Sequence, residues 1–193
     1  MSRRLLAPLF LVTAASCVPV KTTYYEAMDR PWEADGTLTG CPPTHVGIKL
    51  GASGSGASYL VVSATHRAGG AQIAVHVGVG RMHQLTFKSW NVRLTSVLDP
   101  TIQSFAHLSF SGQCGRFTYC PVPQEPKALV GPERASEPFE RDFMGLADVP
   151  SEFVAGFVVE LPEILDGSEK LDAKPMKFEL RTRVLVKGVH GCE

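Results

Sequence analysis

Histidines, cysteines and a short run of acids are the residues of this 193-residue chain whose types could support chemistry. His66, His76 and His83 form the densest histidine group, and with Met82 they raise the question of a metal carrier. Chain geometry tests it. YLVVSATH (59–66) and QIAVHVGV (72–79) flank RAGGA, where Gly69-Gly70 signals a tight hairpin turn. A turn centred there sets His66 opposite Ile73 and His76 opposite Ser63, so the two imidazoles fall on opposite faces and cannot share an ion. His45, His76 and His107 all lie on the polar side of their strands, which makes solvent-facing histidine the expectation and assigns neither metal nor cofactor.

The acids Glu160, Glu163 and Asp166 lie in ELPEILDG. Paired carboxylates drive glycoside hydrolysis when held across a cleft. Here Pro162 ends a strand, and Asp166-Gly167 reads as the turn of a hairpin leading to KPMKFEL. The stretch GASGSGAS (51–58) lacks the Gly-Lys-Ser/Thr ending of a phosphate loop. Its nearest approach to Gly-x-Ser-x-Gly begins at Gly51 and has Ser55 in place of the last glycine, so it reads as a strand connection. No catalytic residue is assigned.

Five cysteines stand at positions 17, 41, 114, 120 and 192. What precedes Cys17 has the parts of an export signal: Arg3 and Arg4, an apolar run from Leu5 to Val12, and small residues from Thr13 to Ser16. A transmembrane helix needs about 20 apolar residues, more than this run offers. Ala14-Ala15-Ser16-Cys17 resembles the Leu-Ala-Gly/Ala/Ser-Cys signature of bacterial lipoproteins, with Ala14 where leucine is usual. That resemblance implies cleavage before Cys17, palmitate-type acylation of Cys17, and attachment to a membrane through an N-terminal lipid. With Val18 rather than aspartate after the cysteine, it further implies the outer membrane. It covers the first 17 residues and concerns address rather than activity; ordinary cleavage without lipid is the alternative. The closing LP…DG…P-x-K-F pattern is similar to that of exported β-rich proteins with no activity to transfer.

An anchor at Cys17 leaves four cysteines, which suits an oxidising compartment. Three pairings are open. The favoured one joins Cys114 to Cys120 around CGRFTYC, and Cys41 to Cys192 between the ends of the domain. Zinc is the rival, but CX5C fits structural zinc spacing poorly.

These groups must be positioned by β-structure. Residues 1–16 read as the signal peptide and 17–36 as a tether, with a short ordered piece around Tyr24 to Met28. Residues 37–193 read as a single domain. Val46, Ile48 and Leu50 alternate with polar or small neighbours, as do Trp90, Val92 and Leu94, then Ala106, Leu108 and Phe110. Phe153, Phe157 and Val159 share a face, and so do Met176, Phe178, Leu180, Thr182, Val184 and Val186. The pattern predicts an all-β fold, an antiparallel β-sandwich of seven or eight strands. It is immunoglobulin-like in general architecture but lacks that fold's Cys-Trp-Cys signature; a small closed barrel is the alternative. Five prolines between Pro121 and Pro138 exclude a central strand there and predict a surface crossover, ending near a helical turn around Arg141 to Leu146.

Without residues 1–16, which carry Arg3 and Arg4 of the 19 basic side chains, 17 remain against 19 acidic ones, a net charge of −2. No concentrated basic surface is present, which argues against a nucleic-acid partner. The expected function is a lipid-anchored cell-envelope protein acting as a structural or binding module, with an envelope protein or a glycan as partner. A small envelope hydrolase or carbohydrate-active enzyme is one alternative, and a periplasmic metal carrier is the other. Contact regions would be the Pro-rich crossover and the Gly/Ser loop.

Overall fold

A computed structural model of the chain describes residues 18–28, 45–50, 58–115, 118–122, 128–133, 140–171 and 173–187. Its strands are β1 (Val18–Ala27), β2 (His45–Leu50), β3 (Ser58–Arg67), β4 (Gly70–Gly80), β5 (Gln84–Phe87), β6 (Asn91–Ser96), β7 (Gln103–His107) and β8 (Ser109–Gly115). They continue as β9 (Thr118–Pro121), β10 (Ala128–Val130), β11 (Glu140–Val149), β12 (Gly156–Glu160), β13 (Ile164–Asp166), β14 (Glu169–Leu171) and β15 (Met176–Lys187). Among the described residues one 3-10 turn, Ser151–Phe153, interrupts them.

The strands form three antiparallel sheets: a six-stranded one ordered β2-β3-β4-β11-β8-β9, a five-stranded one ordered β1-β15-β12-β6-β7, and a smaller one ordered β10-β5-β13-β14. The fold is the expected all-β sandwich, and the barrel alternative is overturned because the sheets do not close on themselves. The strand count exceeds the seven or eight expected, since short strands such as β10, β13 and β14 build the small sheet from chain that carries little alternation.

Alternation places the core. Leu60, Val62 and Ala64 on β3 pair with Val77, Val75 and Ile73 on β4, and all six are buried on one face. The five-stranded sheet contributes Tyr25, Val92, Leu94, Phe157, Val159 and Phe178, and the small sheet Leu85, Phe87, Leu129 and Ile164. These side chains form one cluster. Phe87, Trp90 and Phe110 meet where the three sheets converge, with ring centroids 4.5 to 5.5 Å apart.

Three aromatic rings lie over glycines directly across a strand pair. Tyr59 faces Gly78, Phe143 faces Gly112, and Phe110 faces Gly145. A Cβ built on any of these glycines would come within 2.8 Å of the facing ring. The missing side chain is what lets the ring lie down on the sheet.

Several expectations are corrected. The stretch assigned to the tether contains β1, which pairs along its whole length with β15, from Val18 opposite Lys187 to Ala27 opposite Phe178. Sequence periodicity missed it because the strand is held by a ladder to residues some 150 positions away, and from Lys21 to Ala27 only Tyr24, Tyr25 and Ala27 are buried. Pro19 is tolerated because β1 is an edge strand. The helical turn around Arg141 to Leu146 is instead part of β11, a central strand between β4 and β8. Its inward positions include Gly145 and Ala147, whose small size hides the alternation. The hairpin after Asp166 returns through β14, not through KPMKFEL: Gly167 takes φ 59° and β13 pairs with Glu169–Leu171. β15 belongs to another sheet.

The Tyr25 hydroxyl donates to the Val154 carbonyl at 2.7 Å, and burial pushes its pKa up to about 12. An unfolded tyrosine loses its proton near pH 10. The folded state therefore holds the proton more tightly, and the resulting stability is complete below about pH 10 and lost as pH rises through about 12. Denaturant midpoints followed across that window should fall more steeply in the parent than in Tyr25→Phe. Parallel curves would contradict the buried phenol.

Candidate functional site

The β3–β4 hairpin places Arg67 opposite Gly70 and His66 opposite Ala71. The turn is thus centred on Ala68-Gly69, with the left-handed requirement met by Gly69 at φ 87°. This shifts the expected pairing by two positions, which preserves the faces: His66 and His76 do lie on opposite sides of the sheet. His66 borders the core, its ring 6.3 Å from that of Tyr25. His107 Nδ1 lies 2.9 Å from Oδ1 of Asn91, its cross-strand partner in the five-stranded sheet. His45 pairs in register with Ser63, and His190 lies outside the described residues. Among the described residues no three histidine, cysteine or acidic side chains come together around a metal position.

The acids separate in the same way. Glu160 bonds Arg93, Glu163 bridges Lys88 and Lys170, and Asp166 bonds His83. Hydrogen bonds from the two lysines hold the Glu163 carboxyl below the usual range. Each of these three carboxylates is engaged by its own cationic or imidazole partner.

Cys114 and Cys120 form a disulfide across β8 and β9, with Cα atoms 5.8 Å apart beside a bulge between Gln113 and Gly115. Both residues are exposed. Cys17, Cys41 and Cys192 lie outside the described residues, as do positions 51–57 of the Gly/Ser stretch and much of the Pro-rich crossover.

Two arrangements emerge from residues that the sequence left apart. The first is on the outer face of the six-stranded sheet. Tyr59 lies over Gly78, its hydroxyl donating to Asp142 Oδ1 at 3.0 Å, while His76 Nε2 stands 3.7 Å from the same oxygen. The Tyr59 and His76 rings meet edge to face, 6.0 Å apart. Half-buried Val61, Ala74, Met144 and Leu146 continue this face across β3, β4 and β11. The result is a phenol, an imidazole and a carboxylate on a partly apolar sheet surface.

The second arrangement is the connection between β4 and β5. His83 N–H donates to the Gly80 carbonyl, its own carbonyl accepts from Gly131 N–H, and Met82 N–H donates to the Pro132 carbonyl. Gly131 makes this clamp possible, since a Cβ there would lie 2.0 Å from the Gly80 oxygen. Gly80 N–H in turn donates to the buried Ser58 hydroxyl. With its backbone fixed on both sides, His83 sets Nδ1 2.9 Å from Asp166 Oδ2. An ionised carboxylate only accepts, so in this bond Nδ1 is the donor, and Nε2 is the ring nitrogen whose lone pair the bond does not use.

The chain matches no known protein family, curated protein or solved structure.

The His83–Asp166 pair had no local signal, because its members lie 83 residues apart and meet only through the pairing of β5 with β13. The same holds for Tyr59 and Asp142, joined through β4. Gly80 and Gly131 were the one available hint: glycines flanking otherwise ordinary turns mark places where another backbone passes close.

Proposed function

We infer that this is a cell-envelope protein held in a membrane by lipid on Cys17, with the β-sandwich serving as a structural or binding module for an envelope protein or a glycan. The observation that carries the reading is the exposed Cys114–Cys120 disulfide, a bond that persists in oxidising compartments and so fits export. The signal-like segment ending at Ser16 and the lipoprotein-like residues around Cys17 agree with it. The outer membrane is the favoured address. For the module itself, the Tyr59–His76–Asp142 face offers what polar ligands with apolar faces use: an aromatic ring, hydrogen-bonding groups and half-buried apolar side chains.

The test is intact mass and membrane fractionation of the full-length protein beside Cys17→Ser. The expected parent begins at Cys17, carries acyl chains and sediments with membranes, and the variant does not. A parent that is soluble, unacylated and cut before Ser16 or Val18 would overturn the anchor.

A further inference from the structure

The connection between β4 and β5 presents a donor set that the envelope reading does not use. We propose that Met82 and His83 form a capture site for a single soft, monovalent metal ion, Cu(I), with the Met82 thioether and His83 Nε2 as ligands and Asp166 as the positioning residue. The proposal is independent of the lipid anchor.

Three observations carry it. First, His83 is prepared as a ligand. Its backbone N–H and carbonyl are both engaged, and its Nδ1 is held by a carboxylate that is only 16% exposed, leaving Nε2 as the ring's metal-binding nitrogen. An imidazole oriented by a carboxylate on its far nitrogen is the usual arrangement behind a metal-ligating histidine. Second, Met82 is 78% exposed and holds φ at 65°, the one non-glycine residue in the described chain with positive φ. An unbranched side chain has no steric reason to be there, and glycine would serve the backbone better. Third, the donor count selects the ion. Zinc and other divalent ions want three or four ligands, which the described histidines, cysteines and acids do not assemble. A thioether and an imidazole suit Cu(I), which accepts two ligands in a line.

Binding is ligand exchange with no change of oxidation state. Cu(I) leaves a weaker complex, and Met82 Sδ and His83 Nε2 each supply a lone pair.

The experiment uses the full chain with free thiols alkylated beforehand, so that Cys17, Cys41 and Cys192 cannot contribute. Cu(I) is supplied anaerobically with ascorbate and bicinchoninate as the competing indicator. The parent is expected to withdraw one equivalent from the indicator. His83→Gln and Met82→Gly should each abolish that withdrawal, and Asp166→Asn should weaken it by roughly 10- to 100-fold. Met82→Gly guards against misfolding, because it removes the thioether while relieving the positive φ: it should lose the metal yet melt no lower than the parent. Failure of the parent to compete with the indicator would overturn the site, and so would equal retention by Met82→Gly and His83→Gln. An unchanged Asp166→Asn would overturn the positioning role alone.

Discussion

Phe87→Ala is expected to cost about 4 kcal/mol and to lower the melting temperature by roughly 8 to 16 °C. Phe87 has no exposed surface, and its ring stands 5.4 Å from Trp90 and 5.5 Å from Phe110. Those neighbours belong to different layers. Phe87 ends β5 in the small sheet, Trp90 leads into β6 of the five-stranded sheet, and Phe110 lies on β8 of the six-stranded sheet. Truncation therefore opens a cavity where three sheets meet, and none can close it without breaking its own ladder. Set against a total stability of about 5 to 15 kcal/mol, the loss approaches what the fold can bear. Phe105→Ala is the control: Phe105 is 70% exposed, so the change should stay within about 0.5 kcal/mol. Equilibrium urea unfolding measures both. A Phe87→Ala cost below about 1 kcal/mol would mean that the small sheet is not part of the common core.

What the sequence made legible were the strands whose inward residues are large. β3, β4, β6 and the first part of β15 announce themselves because Leu60, Ile73, Leu94 and Phe178 alternate with polar or small neighbours. β11 did not, because its inward face carries Gly145 and Ala147, and the facing Phe110 ring explains why position 145 is small. β1 did not, because its partner is at the other end of the chain and β15 extends past β12, leaving Val184 65% exposed on what begins as a core-facing row. Periodicity reports burial, and a strand held chiefly by its ladder gives little of it.

The candidate sites were less legible still. The opposition of His66 and His76 followed from parity, which survived a two-residue error in the turn centre. The partnership of His83 with Asp166 could not follow from parity, because it depends on the pairing of two strands only 4 and 3 residues long. The Cys114–Cys120 bridge was legible because its members are only six positions apart. It is a local fact, and local facts are what a sequence states most directly.

The pairing of Phe110 with Gly145 leads to the most discriminating mutational result. A methyl on Gly145 would sit 2.7 Å from Phe110 Cζ and 2.9 Å from both Cε atoms. The ring cannot retreat, because Trp90 packs against it at 4.5 Å and Phe87 at 5.5 Å. Gly145→Ala should therefore cost about 1 to 3 kcal/mol, the range for forcing an extra carbon into a packed core. Phe110→Ala alone should cost about 3 to 5 kcal/mol. In the Phe110→Ala background the sign of the glycine change should reverse. With the ring gone the new methyl has room, and alanine restricts the unfolded strand more than glycine does, a gain of roughly 0.5 to 1 kcal/mol. Gly70→Ala supplies the comparison, since a methyl there would meet only the Val149 oxygen at an ordinary 3.6 Å. Unfolding of the four members of the cycle gives the coupling directly. Additive effects would show that the ring does not lie over Gly145, and that the small residue in β11 must be explained by something other than the aromatic side chain across the ladder.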